Sequence, residues 1–115
     1  MATLASLGTV TASGLKLLAL SAATAGGDDF VNDGKCMLIV ANANVGAVRT
    51  ITIQAVQYCD TGYIQHDQDV VVPASSTAYI YGFVPKKWNA SSTQKVSITY
   101  SDAGADITVG YVVIG

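Results

Sequence analysis

KVSITYSDAGADITVGYVVIG, residues 95 to 115, decides what kind of chain this is. Val96, Ile98 and Tyr100 fall on one side of its first run, and Ile107, Val109, Tyr111 and Val113 on one side of its second. An apolar residue at every second position marks a strand with one buried face, whereas a helix repeats every three to four. SDAGA, between the runs, supplies turn residues, so the stretch predicts a β-hairpin.

The same period continues toward the N-terminus. RTITIQAVQ, residues 49 to 57, sets Ile51, Ile53 and Ala55 against Thr50, Thr52 and Gln54, one face buried and one wet, until Val56 breaks the alternation as a bulge would. KCMLIVAN, residues 35 to 42, is apolar throughout, as expected of a strand covered on both faces. ANVGA turns the chain between these two. DVVVP ends at Pro73, which cannot donate to a ladder, and ASST turns the chain into AYIYGFV, which places Tyr79, Tyr81 and Phe83 on one face. TGYIQHDQ reads as a polar connection or short edge strand, and PKKWNASST, residues 85 to 93, as a surface loop. About seven runs separated by turns, with no convincing long helix, predict an all-β fold: an antiparallel β-sandwich or jelly-roll-like single domain.

GGDDFVNDG, residues 26 to 34, raises a chemical question. A calcium loop of the EF-hand kind needs oxygen ligands at its first, third, fifth and twelfth positions, with glycine sixth. With Asp29 first, Asp33 is fifth and Gly34 sixth, but Val31 falls third and Val40 twelfth. Two ligands fail. Asn and Asp hydrogen-bond their own neighbours and glycine permits positive φ, so the expectation is a tight turn feeding a strand.

Residues 1 to 25 are less regular. Leu15, Leu18, Ala19, Ala22 and Ala23 fit helical spacing, with Ser13 as a cap and Gly26 as a stop. TLASLGTVTASG, rich in Gly, Ser, Thr and β-branched residues, favours extended chain instead. The expectation is an extended N-terminal arm (1–25) with a short strand, outside a sandwich domain (26–115) that folds without it. LKLLALSAATA imitates a secretory signal, yet the fourteen residues before it carry no positive side chain. The apolar run is also far short of the ~20 residues that a membrane span needs.

Charge is the unusual quantity. Charged residues make up 12% of the 115, against roughly 25% in ordinary soluble domains, and 50% are hydrophobic. Such a chain cannot cover its exterior with charge, so part of its surface is expected to be covered by another protein. Eight Asp, no Glu, five Lys and one Arg give a net charge of -2 and offer no phosphate-neutralising stripe, so nucleic acid is not an expected partner. Cys36 and Cys59 both sit in or beside apolar runs and read as small buried hydrophobes; a bridge between them requires neighbouring strands.

Catalysis needs a titratable group beside a partner with an opposed task. The single histidine, His66, stands among polar neighbours with Asp67 and Asp69 and reads as a solvated loop residue. No nucleophile elbow or phosphate-binding glycine loop is present, and Ser75, Ser76, Ser91 and Ser92 lie in turn-like clusters. The reading is no enzyme, no metal, no cofactor, no membrane and no small-molecule substrate. Trp88, the one tryptophan, lies in Pro85-Lys86-Lys87-Trp88-Asn89. It is either a plug for one end of the sandwich or an interface anchor. These five residues and the arm leucines Leu4, Leu7, Leu15, Leu17, Leu18 and Leu20 form the expected partner interface.

Gly26-Gly27-Asp28-x-Phe30, Asn32-x-Gly34, an apolar strand ending near Asn42 and Val72-Pro73-Ala74 come in that order. Tyr81-Gly82-Phe83, Pro85, Trp88-Asn89 and Val96-Ser97-Ile98-Thr99-Tyr100 follow. Over about residues 26 to 101 this succession resembles the head decoration, or cement, proteins of tailed phages. The resemblance implies a β-rich virion protein, made in the host cytoplasm and placed on the capsid exterior. There it would clamp neighbouring major capsid protein subunits, as a homo-oligomer and most often a trimer. It brings no catalytic or cofactor residues. A tail, baseplate or head-fibre component is an alternative, because a β-sandwich serves all of them. A carbohydrate-binding or adhesin-like module, with Trp88 and Tyr63 or Tyr81 stacking on sugar, is another.

Overall fold

The computed structural model describes residues 2–4, 6–10, 20–54, 67–83, 94–101 and 106–114. Ten strands run through them: β1 (Ala2–Thr3), β2 (Ser6–Val10), β3 (Ser21–Ala22), β4 (Asp28–Val31), β5 (Cys36–Asn42), β6 (Arg49–Ile53), β7 (Gln68–Val72), β8 (Ser76–Tyr81), β9 (Lys95–Tyr100) and β10 (Ile107–Ile114). The chain is all-β. Its two sheets pack face to face as a β-sandwich, one in the order β1-β4-β9-β6-β7 and the other β2-β10-β5-β8, with β3 also on β10.

Alternation explains the core. Val96 and Ile98 of β9, Ile51 and Ile53 of β6, Phe30 of β4 and Val72 of β7 point inward from the first sheet. Leu38 and Val40 of β5 and Ile107, Val109 and Tyr111 of β10 meet them from the second. Each fully buried aliphatic side chain of this kind contributes about 1.5–3 kcal/mol relative to exposure. Phe30 forms the aromatic centre, edge-on to Phe83 at 5.2 Å and tilted against Tyr111 at 5.1 Å.

The expected hairpin does not form. β9 pairs with β4 and β6 in the first sheet, whereas β10 pairs with β5, β2 and β3 in the second. Alternation sets which face is buried but not which strand is the neighbour, and the chain crosses between layers after Ser101 instead of folding back.

Phe83 also departs from expectation. Tyr79 and Tyr81 face outward, but Gly82 takes a φ of +97°, a value open to glycine, and the chain turns so that Phe83 enters the core.

The turn at 26–35 is the expected one at its end: Gly34 N donates to Asn32 Oδ1 and Lys35 N to Asp33 Oδ1, each at 2.9 Å. Residues 28 to 31, read as part of that turn, form β4 instead. Asp is a poor strand former, and the tertiary pairing of Asp28 to Val31 with Lys95 to Ile98 overrides it.

The described residues of the first 25 do not stand apart from the sandwich. β1 runs parallel to β4 at one sheet edge. β3, antiparallel, and β2, parallel, share the edge of β10. Leu4, 8% exposed, belongs to the core. Positions 20 to 26 are strand and turn, not helix, while 11 to 19 lie outside the described residues.

Candidate interaction surface

The sandwich has two unlike outer faces. That of the first sheet carries mostly polar side chains, Thr50, Thr52, Asp69, Ser97, Thr99 and Lys95, with the exposed Val31 and Val71 among them, and Thr52 Oγ1 donates to Asp69 Oδ1 at 2.8 Å. That of the second sheet is mainly apolar, with Thr77 and Thr108 in one outer row. Across it the ladders align Tyr79, Ile39 and Gly110 in one row and Tyr81, Met37 and Val112 in the next.

At its centre this face is covered. Ile39 and Val112 are 2% and 1% exposed although they point away from the core cluster. Leu7 and Leu20 lie over Gly110: a Cβ there would stand 2.7 Å from Leu7 Cδ1 and 2.9 Å from Leu20 Cδ2. Two leucines of the expected interface therefore build a small second apolar layer within the chain. Leu4 is taken into the main core. Leu15, Leu17 and Leu18 lie outside the described residues, as do Pro85, Lys86, Lys87, Trp88 and Asn89, and with them Cys59, Tyr63 and His66.

Toward β8 the cover ends. Tyr79 and Tyr81 are each 64% exposed, side by side along the strand. AYIY in the sequence already put these rings on one face; that the strand carrying them is a sheet edge could be read only from the topology.

A second apolar feature lies at one end of the sandwich. Val45, 87% exposed, tips the β5–β6 loop, and Val48 is exposed nearby. The loop is held from below. Asn42, buried, donates through Nδ2 to the carbonyls of Ala47 and Val72 and accepts the Asn44 amide. Asn44 Oδ1 accepts from Gly46 N, and the Asn44 carbonyl accepts from Ser75 N. Asn44 Nδ2 and Arg49 Nη2 both reach Asp106 Oδ2, at 3.0 and 3.1 Å. These contacts hold the Asp106 carboxyl below its ordinary range, the Asn44 hydrogen bond first and the Arg49 bond and charge after it.

Titratable groups elsewhere are structural in their surroundings. Asp28, 1% exposed, accepts from Tyr100 Oη and Thr24 N, and its Oδ1 has no partner. Burial first, then the Asp28 hydrogen bond and charge, push the Tyr100 phenol well above its usual range. Cys36 is a free, buried thiol, also raised by burial, with Sγ 3.5 Å from the Val31 carbonyl. Among the described residues no three His, Cys, Asp or Glu side chains gather where they could hold a metal ion.

No family model, curated protein or solved structure matches the chain.

Proposed function

We propose that this is a virion structural protein of the capsid decoration, or cement, class, which binds the outside of an assembled phage head and clamps neighbouring major capsid subunits. The observation that carries the reading is the exposure of Tyr79, Tyr81, Val45 and Val48 on strands and hydrogen-bonded loops of a sparsely charged sandwich. Large apolar groups on a rigid scaffold suit a surface that works while covered by protein, because little ordering entropy is lost on docking. The succession of segments from Gly26 to Ser101 supports the same reading by resemblance. Binding only the assembled lattice would stabilise it by mass action, ~2.7 kcal/mol per site at a free concentration one hundred times the dissociation constant.

The test is to incubate the purified chain with expanded heads lacking it, then image the particles. Regular added density on the outer surface is expected, together with higher resistance to heat. Bare heads, or density on the tail alone, would end the reading. The same two tyrosines also suit a carbohydrate-recognising module, and a signal on a glycan array that is lost in Tyr79→Ala would favour that alternative.

A further inference from the structure

An exposed strand edge is a row of unpaired amides and carbonyls, and proteins ordinarily blunt such edges with charge, proline, bulges or brevity. Among the described residues three of the four sheet edges are blunted. β1 is two residues long. β2 is interrupted by a register shift between Tyr111 and Val113 of β10. β7 carries Asp69, with Asp67 just before it and Pro73 just after.

β8 is different. Its six residues, STAYIY, pair with β5 in unbroken register and contain neither charge nor proline. Among the described residues no strand lies on its other side.

We propose that β8 is a self-association edge, pairing antiparallel with the β8 of a second copy about a two-fold axis at Tyr79. That register sets Tyr79 against Tyr79, Thr77 against Tyr81 and Ala78 against Ile80. Every pair keeps its face, as the two-residue period of a strand demands. A second copy fits because the strand is self-complementary in the properties that decide pairing: no like charges meet, the aromatic residues share one outer row, and aromatic cross-strand pairs are favourable. The two second sheets would join into one continuous sheet.

Size sets the strength. A six-residue strand is ~20 Å long and one sheet layer ~10 Å thick, so the edge presents roughly 200 Å² per copy. That is about a quarter of what a standard stable interface buries from each partner, so the dimer is weak and transient in dilute solution. An isologous contact closes as a dimer and does not propagate.

Sedimentation of the full chain over a rising concentration series reads this directly. The expected result is a reversible monomer–dimer equilibrium that Tyr79→Lys weakens at least tenfold without lowering the melting temperature, since Tyr79 is exposed. Mild oxidation of Tyr79→Cys should give a dimer cross-linked through that position, and Val71→Cys, similarly exposed on the opposite sheet, should not. A mass that stays monomeric throughout, a trimer, or association indifferent to Tyr79→Lys overturns the inference. The inference does not rest on the capsid reading: bare heads would leave it standing, and a decorating monomer would remove it alone.

Discussion

The Tyr100 hydroxyl donates to Asp28 Oδ2 at 2.5 Å, joining two strands of the first sheet at the rim of the core. Among the described residues Asp28 has only the Thr24 amide besides, and its other oxygen is buried without a partner. Tyr100→Phe should therefore cost about 1–3 kcal/mol, the penalty for leaving a buried acceptor unmet, with little change in shape. Because burial first, and the Asp28 bond and charge after it, make the phenol titrate higher folded than unfolded, the stability Tyr100 contributes is full below the ordinary tyrosine value of ~10 and is lost as pH rises above it. Urea unfolding at neutral and alkaline pH should show the wild type losing its advantage over Tyr100→Phe on the alkaline side. Parallel curves would mean that the buried Tyr100 phenol does not set the alkaline limb.

Glycines 27 and 110 should respond unequally to alanine. A Cβ on Gly27 would stand 2.5 Å from the Ile98 backbone carbonyl, at a φ of +97° that L residues rarely adopt. Neither can give way, so Gly27→Ala should cost at least ~2 kcal/mol. At Gly110 the obstacles are the flexible ends of Leu7 and Leu20, and a glycine in a strand interior is otherwise a weak point. Gly110→Ala should cost about 1 kcal/mol or less and Gly110→Val about 1–3 as overpacking grows. Thermal melts rank them; Gly110→Val at wild-type stability would mean that the leucines do not hold that face.

Removal of residues 2 to 25 is the sharpest departure from what the sequence suggested. An appended arm would leave the sandwich standing. The structure gives the described ones among them the edges of β4 and β10, a core leucine and the cover over Gly110. Losing Leu4 alone is worth about 2–5 kcal/mol, a large part of a domain's whole stability. The truncated chain should be unfolded or aggregated by circular dichroism and light scattering. A cooperative melt near the wild-type temperature would restore the arm reading.

These cases mark where legibility ended. Period-two alternation identified the inward residues of β6, β9 and β10 because burial follows side-chain direction, which is local. Partnership is not local. Nothing within residues 95 to 115 tells β9 and β10 that they belong to opposite sheets, and DDFV becomes a strand only because β9 lies beside it. Parallel pairing of the N-terminal segment is likewise a long-range choice, with no turn signal to announce it. Tyr79 and Tyr81 were readable as a shared face, but their exposure depends on β8 ending its sheet. Phe83 would have kept their company but for the backbone reversal at Gly82.

The Asp106 cluster should control the acid limb of stability. Asn44 and Arg49 favour the charged carboxylate, so its folded titration lies below the unfolded one. A depressed carboxyl stabilises above the ordinary value of ~4, and that contribution is lost as pH falls through the folded one. Asp106→Asn removes the charge, and should melt lower than wild type at neutral pH and converge with it as the pH falls through the folded titration and the wild-type side chain becomes neutral too. Since Asp106 also fastens the Val45 loop through Asn44, the variant should loosen that loop, seen as faster amide exchange at Val45 and Gly46 with β9 and β5 unchanged. An unaltered acid limb would place the acid sensitivity elsewhere, and unaltered exchange at Val45 would mean that Asn42 and Ser75 hold the tip without help.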